Sequence, residues 1–539
     1  MVTIKLFLII CVVFLLVVPI ILQYIYGWSL FFWIDNKSYN ISVYGFYLLG
    51  YMLLQFLFAI LNNKRLKKVE NTKDFVNKVN MMIVGNKEDP MYYRMCLESI
   101  LNVSNNMPNL NKIYVIIDGN ERDDDYMVDI CKEVFVEKRL KCININEDRI
   151  SEEILLLNML DINENDIICI SQKHGGKRSA MMTGFKYTLL ENVIYKKDIQ
   201  MIFCTDSDTV INVDSVMEMC KHFDNENIGA VAGNLGIYNR YDAVISFMSS
   251  VRYWYAFNVE RAYQSFTGNV LCVSGPIGMY RTNDLEKIID DWSNQKFLGK
   301  LCTYGDDRHL TNKILELKKN VVYVSTAYAE TETPNNLYRF FKQQTRWNKS
   351  AFREFFWSVK ILDKQSLFMS IDLVYVLVYP YIVMGYLLYI LWYKSVFEFG
   401  FYSIIVLALG LVKSIYGVII SGNMENMFYF LYVFIYVGVV FPAKLWALIN
   451  INDNSWGTSP RKFLDHIPMS IDVIVPVIWN LVLVSGMIYN IWNSVRGGFV
   501  LMDFILLFVV CGILCLGLFS MNIYVFTKRS NFKRLVKQE

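Results

Sequence analysis

Apolar residues are concentrated in long blocks at the two ends of the chain, and a more polar stretch lies between them. The first two blocks, residues 4–25 and 41–61, are each long enough for the roughly 20 residues of a membrane-spanning helix. The first block starts with a single lysine, Lys5, and lacks the small-residue cleavage site of a secretory signal, so we expect it to be retained. The pattern predicts two transmembrane helices within residues 1–62.

Apolar stretches return after residue 365 and predict an all-α transmembrane region over residues 366–527. They occupy residues 367–393, 401–421, 427–449, 470–493 and 500–526. Five crossings after a cytosolic domain would place the basic end of the chain outside, so we expect one of the first three stretches to be interfacial, re-entrant or fused to a neighbour. Lys413 and Lys444 interrupt these stretches, and lysines at such positions usually face a cavity or an interface.

Positive charges flank the apolar blocks and predict the orientation of the chain. Lys64 and Arg65 follow the second block, and residues 528–539 form a basic tail. Because such residues stay on the cytosolic side, we expect the polar domain, residues 63–365, and the tail to lie in the cytosol. The net charge of +3 is too small to indicate nucleic-acid binding, and the eleven cysteines lack the CxxC pairs typical of a zinc site.

Within residues 63–365, short apolar runs alternate with polar helical stretches. The runs at 81–84, 113–117, 199–204 and 321–324 have the length of buried strands. This alternation predicts an α/β domain with a mainly parallel sheet. Asp118 and Asp206 follow two of the runs closely, and ligands bind at the carboxyl ends of strands in open α/β sheets.

Two segments of this domain have amphipathic helical patterns. In residues 244–262, apolar residues recur at steps of three and four, with Arg252 and Glu260 off the stripe. The stripe fits either a core-facing helix or a helix in the membrane interface. Residues 338–357, rich in aromatic side chains, fit the same two interpretations.

Two carboxylate pairs are candidates for chemistry. Asp206 and Asp208 are spaced so that both can approach one hard cation, Mg²⁺ or Mn²⁺, although this spacing also occurs in capping turns. Asp306 and Asp307 precede a predicted helix, where acidic residues also simply favour the helix dipole. Their functional interpretation is a general base that takes a proton from an attacking sugar hydroxyl.

Three further motifs could bind a nucleotide sugar. Gly175 to Arg178 precedes a predicted helix, where backbone N–H groups and cations suit a phosphate. Gln343 to Trp347 combines an amide, an arginine that can neutralise a diphosphate and an indole face for a sugar ring. Trp456 to Ser459 is either a loop with an interfacial anchor or a mobile segment that closes over the nucleotide.

In this order, the motifs resemble the processive family-2 glycosyltransferases, and most closely the hyaluronan synthases of the vertebrate and algal-virus type. The resemblance covers nearly the whole chain. The chain departs from the family at Asn86-Lys87-Glu88, where an aromatic residue and an arginine are expected before the glutamate. The motifs that carry the resemblance are Asp118-Gly119-Asn120, Gly176-Lys177-Arg178, Asp206-Ser207-Asp208, Ser274-Gly275-Pro276, Gly305 to Thr311, Gln343 to Trp347 and Trp456 to Ser459.

The resemblance implies a cytosolic GT-A glycosyltransferase domain on amphipathic interface helices below an all-α transmembrane channel. It implies Asp307, with Asp306, as the catalytic residues, Asp206 and Asp208 as ligands of Mn²⁺ or Mg²⁺, and Trp456 and Thr458 as parts of a gating loop. The residues expected to bind UDP are Glu88, Asp118, Lys177, Arg178, Asp206, Gln343 and Arg346. Those expected to contact the acceptor are Trp347, Ser274 and Cys302.

The expected function is the polymerisation of hyaluronan from UDP-GlcNAc and UDP-GlcA by inverting transfer. The protein is expected to lie among the lipids of the plasma membrane and to export the nascent chain across it. One alternative is a chitin synthase or another single-sugar β-glycan synthase, because such enzymes share the general motif scheme. An alternative of another class is a non-catalytic scaffold for polysaccharide export.

Overall fold

The computed structural model describes residues 29–34, 37–67, 78–147, 152–159, 162, 166–358, 361, 365–454, 471–497 and 501–535. The first predicted transmembrane helix, residues 4–25, lies outside this described part. An antiparallel hairpin of β1 (Ser29–Ile34) and β2 (Lys37–Ser42) precedes helix α1 (Val43–Lys67), which occupies the place of the second predicted span.

A nine-stranded sheet forms the centre of the polar domain. Its strands are β3 (Lys78–Gly85), β4 (Leu110–Asp118), β5 (Leu140–Ile145), β6 (Ile167–Gln172), β7 (Ile199–Asp206), β8 (Val210–Ile211), β9 (Ile228–Ile237), β10 (Gly278–Arg281) and β13 (Asn320–Thr331). The spatial order is β5-β6-β4-β3-β7-β10-β9-β13-β8. The first five strands in this order are parallel to one another, as are β9 and β13, whereas β10 and β8 run antiparallel to the strands beside them.

Helices and one small hairpin surround this sheet. The hairpin consists of β11 (Lys296–Phe297) and β12 (Lys300–Leu301). The helices are α2 (Pro90–Asn106), α3 (Asp125–Val134), α4 (Glu152–Met159), α5 (Lys177–Tyr195), α6 (Ser215–Cys220), α7 (Val244–Tyr255), α8 (Ala262–Thr267), α9 (Thr282–Glu286), α10 (Ile289–Ser293), α11 (Asp306–Glu316) and α12 (Leu337–Ser358).

The predicted α/β fold with a mainly parallel sheet is confirmed. Each of the four predicted apolar runs lies within a strand, namely β3, β4, β7 and β13. Central strands are buried almost throughout, because helices cover both faces of a parallel sheet and leave no solvent-facing side. Asp118 ends β4 and Asp206 ends β7, so both acids lie at the carboxyl edge of the sheet.

The helical segment predicted over residues 244–262 consists of α7, a π-helical stretch (Ala256–Arg261) and α8. Met248 and Val251 pack against Leu407 and other residues of the C-terminal region, whereas Phe257 belongs to the core around the sheet. The segment is therefore enclosed between the catalytic domain and the C-terminal helices. Arg252 and Glu260, off the apolar stripe, form an ion pair of 2.9 Å.

Five described C-terminal segments are long and apolar enough to cross a membrane. The helices of this region are α13 (Leu367–Tyr393), α14 (Val396–Ser421), α15 (Tyr432–Ile435), α16 (Phe441–Ile449), α17 (Ile471–Arg496) and α18 (Leu501–Leu535). The third segment has an irregular backbone, since 3₁₀ and π-helical turns (Met424–Leu431 and Tyr436–Val440) flank α15, but it too is long and apolar enough to cross a membrane. The expectation that one of the first three stretches does not span stays a prediction. The helix α18 continues through the start of the basic tail, up to Leu535.

The two interrupting lysines make contacts inside the molecule. Lys444 Nζ donates a hydrogen bond of 2.8 Å to Asn348 Oδ1 on α12. Lys413 Nζ lies 4.8 Å from the ring centroid of Tyr255 on α7. Both lysines thus connect the apolar C-terminal region with helices of the polar domain.

Candidate active site

Asp118 organises the loop that leads into α5. Its carboxylate oxygens accept hydrogen bonds of 2.9 Å from the backbone N–H groups of Gly175 and Gly176, and Oδ2 lies 2.9 Å from His174 Nδ1. Because Asp118 is fixed at the end of β4, these bonds hold the loop at the carboxyl edge of the sheet. The loop delivers Lys177, the first residue of α5, to the same edge.

Lys177 lies between the two carboxylate pairs. Its Nζ is 2.6 Å from Asp206 Oδ1 and 3.7 Å from Asp306 Oδ2. Burial lowers the pKa of this ammonium group, but the two carboxylates outweigh burial and raise the pKa above its ordinary value. Gly275 permits a close backbone approach here, because a Cβ would lie 2.7 Å from Lys177 Nζ and 3.2 Å from an Asp206 oxygen.

Asp208 is held at the same edge by hydroxyl groups. Its Oδ1 accepts hydrogen bonds of 3.2 Å from Thr209 and 3.3 Å from Thr331, which is the last residue of β13. Burial, followed by the charge of Asp206, raises the pKa of Asp208 to about 6. Burial and the charge of Asp206 both disfavour the ionised form of Asp208, and a bound cation would offset both.

Asp306 and Asp307 begin α11 directly after Gly305. Gly305 has a φ of +80°, a left-handed conformation that favours glycine, and a Cβ there would collide with the Ser350 hydroxyl of α12. The turn therefore lets the start of α11 lie close against α12. This packing brings the acidic pair next to the helix that carries Arg346.

The Asp307 carboxylate has two neighbours that fix its orientation. Oδ1 accepts a 2.7 Å hydrogen bond from the backbone N–H of Arg308, and Oδ2 lies 3.5 Å from Cys272 Sγ. Burial, followed by the charge of Asp306, raises the pKa of Asp307 above its ordinary value. A carboxylate with a raised pKa is a better proton acceptor, so Asp307 has the chemistry of a general base.

The helix α12 brings the motif from Gln343 to Trp347 to this site. Burial lowers the pKa of the Arg346 guanidinium, while the carboxylates of Asp306 and Asp307 act in the opposite direction. The Gln343 side-chain oxygen is buried and has no hydrogen-bond partner in the described part of the chain. The Trp347 ring centroid lies 6.3 Å from that of Tyr253 on α7.

Two of the residues predicted to contact UDP make contacts within the protein. Arg178 is buried and donates hydrogen bonds to the Trp292 carbonyl (3.1 Å) and to Gln295 Oε1 (2.8 Å). A direct contact between Arg178 and a nucleotide would require it to give up these bonds. Glu88 is also buried, and Oε2 accepts a 3.1 Å hydrogen bond from the Ser207 hydroxyl between the two metal-site candidates.

The other predicted acceptor residues lie around the same cluster. Ser274 precedes Gly275, and its hydroxyl accepts a 2.9 Å hydrogen bond from Arg261. Cys302 is buried, burial raises its pKa, and its backbone N–H donates a 2.9 Å bond to the Gln295 carbonyl. Ser274 therefore lies next to the glycine that packs against Lys177 and Asp206, whereas Cys302 contacts Gln295 on the side of Arg178, and its acceptor role stays a prediction.

Trp456 and Thr458 of the predicted gating loop lie outside the described residues. The segment just before them, residues 451–454, is fixed beside the active site. Lys349 Nζ lies 2.9 Å from Asp453 Oδ2, and Arg353 Nε donates a 3.0 Å bond to the Ile451 carbonyl. The Tyr304 hydroxyl donates a 2.8 Å bond to the Asp453 carbonyl.

Two residues that touch the carboxylates were missed by sequence reasoning. Thr331 reaches Asp208 because β13 continues beyond the predicted run at 321–324 to the carboxyl edge. Cys272 lies beside Asp307 although the two residues are 35 positions apart in the chain. A single thiol among eleven scattered cysteines carried no signal, whereas the length of the strand could have indicated Thr331.

The Asp206–Asp208 pair fits a hard divalent cation. Among the described residues there is no cluster of three or more His, Cys, Asp or Glu side chains able to hold a metal ion. Two carboxylates would leave most coordination positions to water and phosphate oxygens, as is usual for Mg²⁺ bound with a nucleotide. A cation there would also offset the burial and the charge of Asp206, which raise the pKa of Asp208.

The edge of the parallel sheet thus combines paired carboxylates, a lysine and an arginine, and five candidate membrane segments follow it. The fold and site define a membrane-embedded glycosyltransferase with a GT-A-type catalytic domain.

Sequence similarity to known proteins identifies the family within this class. Residues 177–465 match the family described as chitin synthase. The chain is 35% identical to hyaluronan synthase 2 of Homo sapiens over 505 residues, which cover 90% of this chain and 88% of that one. It is 36% identical to hyaluronan synthase 3 of Homo sapiens over 496 residues, covering 87% and 86%. The chain belongs to the hyaluronan synthase family.

A solved structure with a distant likeness is the mannosyltransferase PcManGT from Pyrobaculum calidifontis in complex with GDP-Man and Mn²⁺. It has a TM-score of 0.38 and 12% sequence identity, with 84% of this chain and 98% of that one covered. This likeness is too low to add to the conclusion from sequence.

Proposed function

We propose that the protein polymerises hyaluronan from UDP-GlcNAc and UDP-GlcA on the cytosolic side of the plasma membrane and exports the polymer. The observation that carries the proposal is the convergence of Lys177, Asp206, Asp307 and Arg346 in a chain 35% identical to hyaluronan synthase 2. The five apolar C-terminal segments support export by the same chain.

The donor would bind with its diphosphate between Lys177 and Arg346. Asp206 and Asp208 would hold Mn²⁺ or Mg²⁺, which when bound would neutralise the charge of the departing UDP. Gln343 lies on the same helix as Arg346, and its side-chain oxygen, which has no partner in the described part of the chain, would accept a hydrogen bond from a hydroxyl of the nucleotide sugar. Asp118 would act through the loop at Gly175 and Gly176, which it holds in place.

The acceptor sugar would lie against Trp347, with its attacking hydroxyl near Asp307. Asp307 would take the hydroxyl proton while the oxygen attacks the anomeric carbon on the face opposite UDP. One such displacement inverts the anomeric configuration. Trp347 and Tyr253 support the acceptor position, because their rings offer adjacent flat faces for sugar stacking.

The nascent chain would leave through the apolar C-terminal region, whose third segment carries two neighbouring tyrosines. The ring centroids of Tyr429 and Tyr432 lie 6.1 Å apart. Tyrosine presents both a flat face and a hydroxyl, which suits a hydrated sugar chain.

The test is polymer formation by the purified, membrane-reconstituted protein with Mn²⁺, supplied with each UDP-sugar alone and then with both. We expect polymer only from the pair, and hyaluronidase should degrade it. Asp307→Asn protein is the control for contaminating synthases. The match to the chitin synthase family favours one competing outcome, which is a chitinase-sensitive polymer from UDP-GlcNAc alone.

A further inference from the structure

A buried hydrogen-bonded network lies behind the active site and is centred on Glu354 of α12. Glu354 Oε2 lies 3.1 Å from His309 Nδ1 and accepts a 2.8 Å bond from Asn312 Nδ2, and Oε1 accepts a bond from Gln295 Nε2. All four residues are buried. The donors come from α11 and from the segment after α10, so one carboxylate holds three elements together.

The charge of Glu354 determines how His309 takes part. Burial alone would raise the pKa of Glu354, but hydrogen bonds from His309, Asn312 and Gln295 outweigh it and lower the pKa. Glu354 is therefore a carboxylate at neutral pH and can only accept hydrogen bonds. It follows that His309 Nδ1 carries a hydrogen and donates the hydrogen bond to Glu354 Oε2.

His309 connects this carboxylate to the start of α11. It lies two residues after Asp307, and its backbone N–H donates a 3.0 Å bond to the Gly305 carbonyl. Its fully buried ring packs edge-on against Trp357 with 5.0 Å between centroids. Any rotation of the first turn of α11 would have to move His309 out of this position.

The network also reaches the Lys177 side of the site. Gln295 Oε1 accepts the 2.8 Å bond from Arg178, the residue after Lys177. Arg178 donates to the Trp292 carbonyl, and Trp292 Nε1 donates a 2.9 Å bond to the Asp306 carbonyl. The starts of α5 and α11 and the C-terminal part of α12 are thus tied together.

We infer that Glu354 is a positioning residue, which acts through His309 and Asn312 to fix Asp307 relative to Arg346. The inference rests on the proposed roles of Asp307 as base and Arg346 as diphosphate ligand. Positioning of this kind affects the rate strongly, since a misplacement of about 1 Å can cost on the order of 100-fold. A network that only stabilised the fold would instead change the amount of folded enzyme.

The experiment uses full-length protein reconstituted in lipid vesicles, with kcat expressed per UDP-binding site. Glu354→Gln keeps the shape of the side chain but places an N–H₂ group against buried donors. We expect kcat to fall at least tenfold while KM for both UDP-sugars stays within twofold. Glu98→Gln, at an exposed position on α2, should change neither quantity. A wild-type kcat per site in Glu354→Gln, with fewer sites, would overturn the inference.

If Glu354→Gln does not fold, two variants at His309 test the same inference. His309→Ala removes the donor to Glu354, whereas the side-chain amide of His309→Asn can occupy the position of Nδ1. Both variants lose the packing against Trp357. We expect His309→Ala to lose at least tenfold in kcat and His309→Asn to recover to within threefold of wild type. Equal losses in the two variants would refute positioning through this bond.

Asp307→Asn, measured in the same vesicles, separates this inference from the proposed function. If Asp307→Asn elongates normally, the assignment of the base fails and the inference loses its basis. If Asp307→Asn is inactive while Glu354→Gln and His309→Ala keep wild-type kcat per site, only the positioning role fails.

Discussion

The two carboxylate pairs of the active site contain the same residue type but have different surroundings. Asp206 and Asp208 follow a strand and lie beside the Lys177 ammonium group and two threonine hydroxyls. Asp307, in the other pair, begins a helix and lies beside a thiol and a backbone N–H. Burial raises the pKa of a carboxyl in each pair, Asp208 in the first and Asp307 in the second, so the neighbouring groups and not the pKa distinguish the pairs. The first arrangement suits a bound cation, whereas the second suits a proton acceptor. The roles of two carboxylate pairs are thus set by their neighbours.

The largest effect is expected from Asp307→Asn, which removes the base while keeping the size of the side chain. Transfer should fall by about 1,000-fold, the range over which a positioned general base contributes. UDP binding should stay within twofold of wild type, because the metal-site pair is intact. UDP release and direct titration with UDP measure the two quantities. Elongation at a near wild-type rate would show that Asp307 is not the base.

Asp208→Asn should affect binding and transfer together, in contrast to Asp307→Asn. Loss of one metal ligand should weaken Mn²⁺-dependent UDP binding, and transfer should fall by about 100-fold, as when one electrostatic group of a site is lost. Titration with UDP at several Mn²⁺ concentrations provides the measurement. Chelation of the metal should bring the wild-type enzyme to the same level and add little to the variant. Unchanged Mn²⁺ dependence in Asp208→Asn would contradict the metal assignment.

The strands of the sheet and the acids at their ends could be predicted from the local sequence pattern. Strands β3, β4 and β7 were predictable because apolar runs of strand length are bounded by polar residues. The acids that follow them were predictable as site residues, since strand ends in a parallel sheet share one edge. Neither inference needed contacts between distant parts of the chain.

Features that depend on such contacts were not predictable. The orientation of Arg178 toward Trp292 and Gln295 is set by residues more than a hundred positions away. The Cys272 thiol beside Asp307 and the Glu354 carboxylate behind α11 also reach their partners only through contacts between residues that are distant in the sequence. The irregular backbone of the third C-terminal segment was not predictable either, because hydropathy does not distinguish an α-helix from 3₁₀ and π-helical turns.

The pH dependence of kcat should distinguish the two carboxylate pairs in the wild-type enzyme. Asp307 acts only when ionised, and burial and the charge of Asp306 raise its pKa. The enzyme should therefore be fully active at pH values above this raised pKa. At lower pH, kcat should fall about tenfold per pH unit because Asp307 becomes protonated. Profiles of kcat at saturating Mn²⁺ and UDP-sugars test this. Asp306→Asn removes the like charge and should move the acid limb to lower pH. A limb that moves with Mn²⁺ concentration would belong to the Asp206–Asp208 pair.

The smallest effect is expected at Cys272, which distinguishes the surroundings of Asp307 from those of Asp208. Its thiol lies 3.5 Å from Asp307 Oδ2, and burial, followed by the charge of Asp307, raises its pKa to about 11, so it stays protonated and can donate. Cys272→Ala should lower kcat by about threefold, because a weak hydrogen bond contributes roughly 0.6 kcal/mol to the orientation of the base. Cys272→Ser, with a stronger donor, should recover most of this loss. The matched change at the other pair, Thr331→Val, should instead weaken Mn²⁺-dependent UDP binding. If Cys272→Ala changed UDP binding and not kcat, the thiol would belong to the donor site, and the contrast between the two pairs would fail at this residue.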